Sequence, residues 1–230
     1  EENNSTGLIF FDECIDVITQ IERRLQIPGG NTLIVGLSGT GKALLTSFIS
    51  YYCDMPVFRL RVHKEYTLTD FDSDLRKILR AALDKSICFI IKDTDIIMPV
   101  FTERLNVLLA ESTIPGLFAG DELASLLQAA KDQARIAGQL LDKEEAIFNF
   151  FLEKVKVNLH IIYTTNSATV DMNQTDIMFP SLLSLCGIIW IGSWSDISLT
   201  SFTSKVLQQH ELTGDDNQYE AMLKIHHSAV

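Results

Sequence analysis

The run Gly36-Leu37-Ser38-Gly39-Thr40-Gly41-Lys42 sits directly after an apolar stretch, Thr32-Leu33-Ile34-Val35, and directly before a segment with helical apolar spacing. An apolar run this short, ended by glycine, reads as a buried strand. Glycines spaced through a strand-to-helix turn let successive backbone N–H groups face one point, and the following helix adds the positive end of its dipole there. That combination is a phosphate-binding loop, with Lys42 placed to reach the outer phosphates. The position after the lysine ordinarily carries a hydroxyl that helps hold magnesium. Here it is Ala43, which has no oxygen to offer. The chain is therefore expected to fold around an anion cradle whose metal position is incomplete.

The remaining pattern alternates strands with helices. Phe11, Cys14, Ile15, Ile18, Ile21 and Leu25 recur at helical spacing, and Pro28-Gly29-Gly30 stops that helix. After the loop come a helix over residues 41–52, a strand over 56–62, and a helix in TLTDFDSDLRKILRAAL with Phe71, Leu75, Ile78, Leu79 and Leu83 on one side. SICFIIKD reads as a buried strand, residues 101–110 as a helix, and Ile114-Pro115-Gly116 as a turn. Two helices joined near Gly138 follow, then the strand LHIIYTTN, a short helix over 180–185, a strand over 187–191, and a helical pattern from Ser195. The tail HELTGDDNQYE reads as a polar, acidic linker. About five strands alternating with helices predict an α/β fold with a parallel sheet covered on both faces.

Composition narrows the function. Of 230 residues 47% are hydrophobic and five are proline, which suits a folded core and excludes a low-complexity chain. A net charge of −11 offers no basic stripe to nucleic acid and no attraction to an anionic membrane. Cys14, Cys53, Cys88 and Cys186 form no C-x-x-C pair, so buried free thiols are expected rather than disulfides or a zinc site. No apolar run approaches a membrane span and no leader pattern opens the chain, making the cytosol the expected compartment.

Two further positions complete the candidate chemistry. Asp93 ends the apolar strand preceding it and is placed to hold magnesium through water. In ring-forming ATPases a glutamate follows that aspartate as general base; here the residue is Thr94, which accepts no proton at neutral pH, and Asp95 lies one position further on. Asn166 ends another apolar strand, where a polar side chain can meet a terminal phosphate or the attacking water, although an asparagine there also serves as a turn former. His63, His160, His210, His226 and His227 share no metal-ligand spacing with acids or cysteines. The acids of DFDSDL complement a helix start, and Trp190 and Trp194 read as core or contact residues.

Taken in order, these elements resemble the AAA+ class of P-loop proteins. GLIFFDECIDVITQIERRLQIPGGNTLIVGLSGTGK, RVHKEYTLTDFDSDLRKILRAA, FTERLNVLLAESTIPGLFAGDELASLL and FPSLLSLCGIIWIGSWS are more closely similar to the fourth AAA+ module of dynein heavy chains, of the cytoplasmic rather than the axonemal type. The similarity runs over residues 7–204 and includes a two-helix insertion that a generic AAA+ module lacks. It implies an N-terminal linker and helix over residues 1–30, an α/β large subdomain over 31–208 with its insertion at about 114–158, and a polar linker entering a small helical subdomain over 209–230.

The resemblance also implies site residues. The phosphate loop is kept at Gly36, Gly39, Gly41 and Lys42, the strand-end acid at Asp93 and the sensor at Asn166. The metal hydroxyl has become Ala43, the base Thr94, and the arginine finger that would serve the preceding module Leu185. Binding needs the loop amides and Lys42; turnover needs a base, a held magnesium and neutralised charge. ATP or ADP, with magnesium weakly held, is thus the expected ligand, in a module that hydrolyses very slowly or not at all. Neighbouring modules of the same heavy chain are the expected partners, the microtubule only indirectly through the stalk, and the isolated module is expected to be monomeric. The alternatives are a nucleotide-free scaffold of the ring and an active ATPase using Asp95 as base.

Overall fold

A computed structural model of the chain describes residues 9–166, 180–209 and 216–229. Its centre is a five-stranded sheet built from β1 (Thr32–Gly36), β2 (Val57–Arg59), β3 (Ile87–Lys92), β4 (Leu159–Asn166) and β5 (Gly187–Ile191), in the order β2-β3-β4-β1-β5. Every neighbouring pair is parallel. The α/β architecture with a parallel five-stranded sheet thus agrees with the sequence reading. β1 lies inside the sheet with β4 on one side and β5 on the other, so all strand ends that matter for the loop open on one edge.

Alternation along the buried strands sorts the core into two layers. Leu33 and Val35 of β1, Ile87, Phe89 and Ile91 of β3, and Ile161 and Tyr163 of β4 point to one face. There they meet α3 (Leu68–Asp84), α4 (Pro99–Glu111), α5 (Asp121–Ile136) and α6 (Glu144–Asn158). Ile34, Cys88, Ile90 and Ile162 point the other way, against α1 (Asp12–Leu25) and α2 (Lys42–Tyr52). The helix α7 (Pro180–Leu185), β5, α8 (Asp196–Gln209) and α9 (Asp216–Ala229) complete the order, with α9 in contact with α8.

The helices begin where local chemistry asks. Thr67 and Asp70 form a reciprocal capping box at the start of α3, and Pro99 occupies the first turn of α4. Phe71 of α3 and Phe101 of α4 stack with ring centroids 4.2 Å apart, both fully buried. Truncating either to alanine costs about 3–5 kcal/mol. The helices α5 and α6 are fastened to α3: Asn158 Nδ2 donates to Ala82 O at 2.8 Å, Gln133 Nε2 to Asp84 Oδ1 at 2.9 Å, and Arg76 pairs with Glu122 at 3.1 Å.

Two local readings change. The strand expected over residues 56–62 is three residues long, Val57–Arg59. β2 is an edge strand with β3 as its one partner, and after Arg59 the chain turns Leu60 into the core instead of extending the ladder. The polar tail, read as linker through Glu220, is helical from Asp216. Its polar sequence carries no proline or glycine after that point, so nothing local stops a helix. Residues 210–215 lie outside the described residues.

Candidate phosphate-loop site

The loop leaves β1 at Gly36, whose Cα is in register with Asn166 of β4 and Ile191 of β5. A side chain at Gly36 would bring its Cβ to 2.6 Å from Ile191 O, so only glycine lets β5 lie this close. Gly39 and Gly41 have φ of 82° and 79°, left-handed values that favour glycine. No atom stands within 4 Å of a Cβ built on Gly39, leaving the outer face of the loop open to an incoming group. Leu37 is half-buried and Ser38 exposed, whereas Thr40 is buried and its Oγ1 donates to Leu37 O at 2.9 Å, bracing the turn from inside. Gly41 caps α2, whose first residues are Lys42 and Ala43.

Lys42 is half-buried. Its Nζ donates to Gly36 O at 2.8 Å and Leu37 O at 2.6 Å, holding the ammonium across the mouth of the loop. Loss of water lowers its pKa, an effect that the negative charge of Asp93 opposes. Asp93 opens a short 3₁₀ turn after β3. Its Oδ2 accepts from Thr165 Oγ1 at 3.2 Å and from the Asn166 backbone N–H at 3.1 Å, while Oδ1 accepts from the Thr94 N–H at 2.8 Å. The structure therefore brings the loop, Lys42, Asp93 and Asn166 to one edge of the sheet, through the registers β1–β4 and β3–β4.

The donor set tests the magnesium expectation. A carboxylate has about four lone-pair positions, and protein donors already occupy three on Asp93. Ala43 supplies no oxygen side chain. Magnesium prefers nearly octahedral oxygen coordination and is held at such sites by one or two protein ligands besides phosphate and water. These residues do not fit a firmly held magnesium ion. Among the described residues there is also no cluster of three or more His, Cys, Asp or Glu side chains suited to a metal.

The positions at which a base or an arginine finger would be expected are equally specific in their placement. Thr94 is exposed and contributes its backbone N–H, not its side chain, to Asp93. Asp95 Oδ2 accepts the Lys92 N–H at 2.9 Å, so its carboxylate is engaged in the turn. Leu185 ends α7 with 49% of its surface exposed, far more than an apolar core residue.

Two residues at this edge were not singled out from sequence. Thr165 supports Asp93 from β4, and Arg59, at the end of β2, donates through Nη2 to Ala43 O at 3.2 Å and to Ser47 Oγ. An arginine closing an edge strand on the same side as a phosphate loop was the available signal. A separate open concavity of about 420 Å³ lies beside α5 and α6, lined by residues such as Ile114, Phe118, Leu127 and Phe148; none of its walls comes from the loop. No helix among the described residues is long and apolar enough to cross a membrane.

A family model described as "P-loop containing dynein motor region D4" matches residues 6–230. The cytoplasmic dynein heavy chain of Drosophila melanogaster is 36% identical over 212 residues, 90% of this chain and 5% of that protein. That of Dictyostelium discoideum is 34% identical over 223 residues, 96% of this chain and 5% of that protein. That of Saccharomyces cerevisiae is 29% identical over 209 residues, 90% of this chain and 5% of that protein. The chain thus spans about one twentieth of the length of these curated relatives. Matched from residue 6 to its last, with the phosphate loop inside the match, the chain belongs to the P-loop-containing dynein motor region family.

Proposed function

We propose that the chain is the fourth AAA+ module of a cytoplasmic-type dynein motor ring, a module that grips ATP or ADP and turns it over little or not at all. The observation that carries this reading is a loop with left-handed Gly39 and Gly41 beside Lys42, set against Ala43 and Thr94 where a metal ligand and a base belong. Phosphate grip needs backbone amides and a cation, and both are in place. Hydrolysis needs an activated water, and neither Thr94 nor the engaged carboxylate of Asp95 is free to activate one.

In this role bound nucleotide is a strut. It ties the edge of the sheet at Gly36, Asp93 and Asn166 into one body, and the ring transmits force through it. Leu185, exposed at the end of α7, occupies the place of an arginine finger for the preceding module. Such a finger contributes roughly 10³–10⁵ in rate, so that neighbouring site would lack a major source of charge neutralisation. The partners are the adjacent modules of the same heavy chain; the microtubule is engaged indirectly through the stalk, and the setting is the cytoplasmic microtubule network. The 230-residue chain by itself is a monomer on this reading.

Calorimetric titration with ATP and ADP, paired with a turnover assay, tests the proposal. Micromolar binding that Lys42→Ala abolishes, with no phosphate release above background, is the expected result. Phosphate release that disappears in Lys42→Ala would instead establish an active ATPase.

A second reading, a nucleotide-free scaffold for ring and stalk, is favoured by one observation. Lys42 Nζ spends two of its donors on Gly36 O and Leu37 O, closing the loop on itself. Absence of binding in the same titration selects that reading.

A further inference from the structure

Arg59 stands in register with Ile90 on β3, and Ile90 faces the α2 side of the sheet. That register sends the arginine towards the first turn of α2. Its Nη2 donates to Ala43 O at 3.2 Å and also contacts Ser47 Oγ, while Ser47 Oγ itself donates to Ala43 O at 2.6 Å. The guanidinium is thereby anchored beside the residue that replaces the magnesium-binding hydroxyl. Arg59 is exposed, and among the described residues it forms no ion pair with a carboxylate. Its Nε and Nη1, three N–H groups in a planar fork, make no hydrogen bond among the described residues. They remain available to an anion.

We propose that Arg59 is the phosphate-neutralising cation of this site, standing in for a firmly held magnesium ion, so that the loop takes a nucleoside polyphosphate without requiring metal. The inference rests on the nucleotide-binding reading above. Its chemistry is that of the guanidinium: always charged, and shaped for bidentate contact with phosphate oxygens. A magnesium ion would need oxygen ligands that Ala43 does not carry and that Asp93 has largely committed to Thr94, Thr165 and Asn166. Arg59 needs none of them. Lys42 from within the loop and Arg59 from the edge strand β2, which reaches the site beside α2, then approach the phosphates with two positive charges.

The test is calorimetric titration of the protein with ATP, once in excess magnesium and once in EDTA, for the unsubstituted chain, Arg59→Gln, Arg59→Lys and the pair Ala43→Thr with Arg59→Gln. The unsubstituted protein should bind with similar affinity in both buffers. Arg59→Gln should lose about 10- to 100-fold in EDTA, the scale of one or two charge-assisted hydrogen bonds, and Arg59→Lys should fall between. The double variant should bind in magnesium and lose binding in EDTA. Thermal melts matching that of the unsubstituted protein show that these changes leave the fold intact.

Loss of unsubstituted binding by about tenfold or more in EDTA overturns the inference, because metal is then required. So does an Arg59→Gln protein that binds like the original. If the unsubstituted chain binds ATP in neither buffer, the nucleotide-binding reading itself falls and this inference falls with it.

Discussion

Asp93 Oδ2 accepts the backbone N–H of Asn166 at 3.1 Å, so the acid at the end of β3 ties down the end of β4. The same carboxylate holds Thr165 Oγ1 and the Thr94 N–H. A residue read as a metal ligand is therefore also a structural clasp for the edge on which the phosphate loop opens. The two roles compete for the same lone pairs, which is why the site disfavours magnesium.

Replacing that clasp should be felt in stability with no ligand present. Asp93→Ala leaves the Asn166 and Thr94 amides to find water and should destabilise by about 1–3 kcal/mol. Asp93→Asn retains one acceptor oxygen and should cost less. Urea unfolding followed by far-ultraviolet circular dichroism measures both. Equal stability of Asp93→Ala and the original would mean that the carboxylate has no structural share.

Thr94→Glu restores a carboxylate where a base is expected but leaves Ala43 unchanged. Phosphate release should stay at background in that single variant. The pair Ala43→Thr with Thr94→Glu should raise it, up to the roughly 10²–10⁴-fold that a positioned general base contributes. A comparable rise in Thr94→Glu alone would identify the base as the one missing part. The assay is steady-state phosphate release, with Lys42→Ala as the blank.

Gly36→Ala probes the close approach of β1 and β5. The added methyl would sit 2.6 Å from the carbonyl oxygen of Ile191, a backbone atom that cannot swing aside as a side chain could. Overpacking of this kind costs about 1–3 kcal/mol. Gly116→Ala serves as a comparison: its φ of 77° strains any side chain, but open space surrounds it, so the loss there is conformational strain alone. A larger drop in urea midpoint for Gly36→Ala is the expected order.

His160 provides the pH dependence. It is 2% exposed on β4, and its Nδ1 has no hydrogen-bond partner. Burial lowers its pKa below the ordinary 6.5, against a smaller opposing effect of the Gly30 backbone. The folded state therefore keeps the ring neutral in a range where the unfolded chain already binds a proton. Stability should fall as pH drops below about 6.5 and level off above it. Urea midpoints between about pH 5 and pH 8 should show this slope, and His160→Gln should flatten it. An unchanged slope in that variant would move the dependence to another group.

Much of the site was legible because its signals are local. Three glycines and a lysine between a buried strand and a helix define the loop, Ala43 follows that lysine directly, and Thr94 follows the acid that closes another strand. Strand ends were legible too: Asp93 and Asn166 each close an apolar run. The contacts around them were not, since Asp93 meets Asn166 only after β3 and β4 pair across many intervening residues. Arg59 escaped notice for a related reason. Its strand is short and lies at an edge, so apolar patterning gave it little weight, and only pairing with β3 turns it towards Ala43. The polar tail misled because polarity marks exposure, and an exposed helix such as the one from Asp216 is as polar as a linker.

By itself, the sequence determined the α/β alternation, the glycine-and-lysine loop, and the placing of Ala43 and Thr94 where a hydroxyl and a base are expected. Each is a matter of residue type at short spacing, where backbone propensity and side-chain chemistry act directly. The tertiary structure decided which strands became neighbours, and through them which groups share an edge. Parallel pairing places residues side by side that the chain keeps far apart, and hydrogen bonds then commit Asp93 to Asn166 and Arg59 to Ala43.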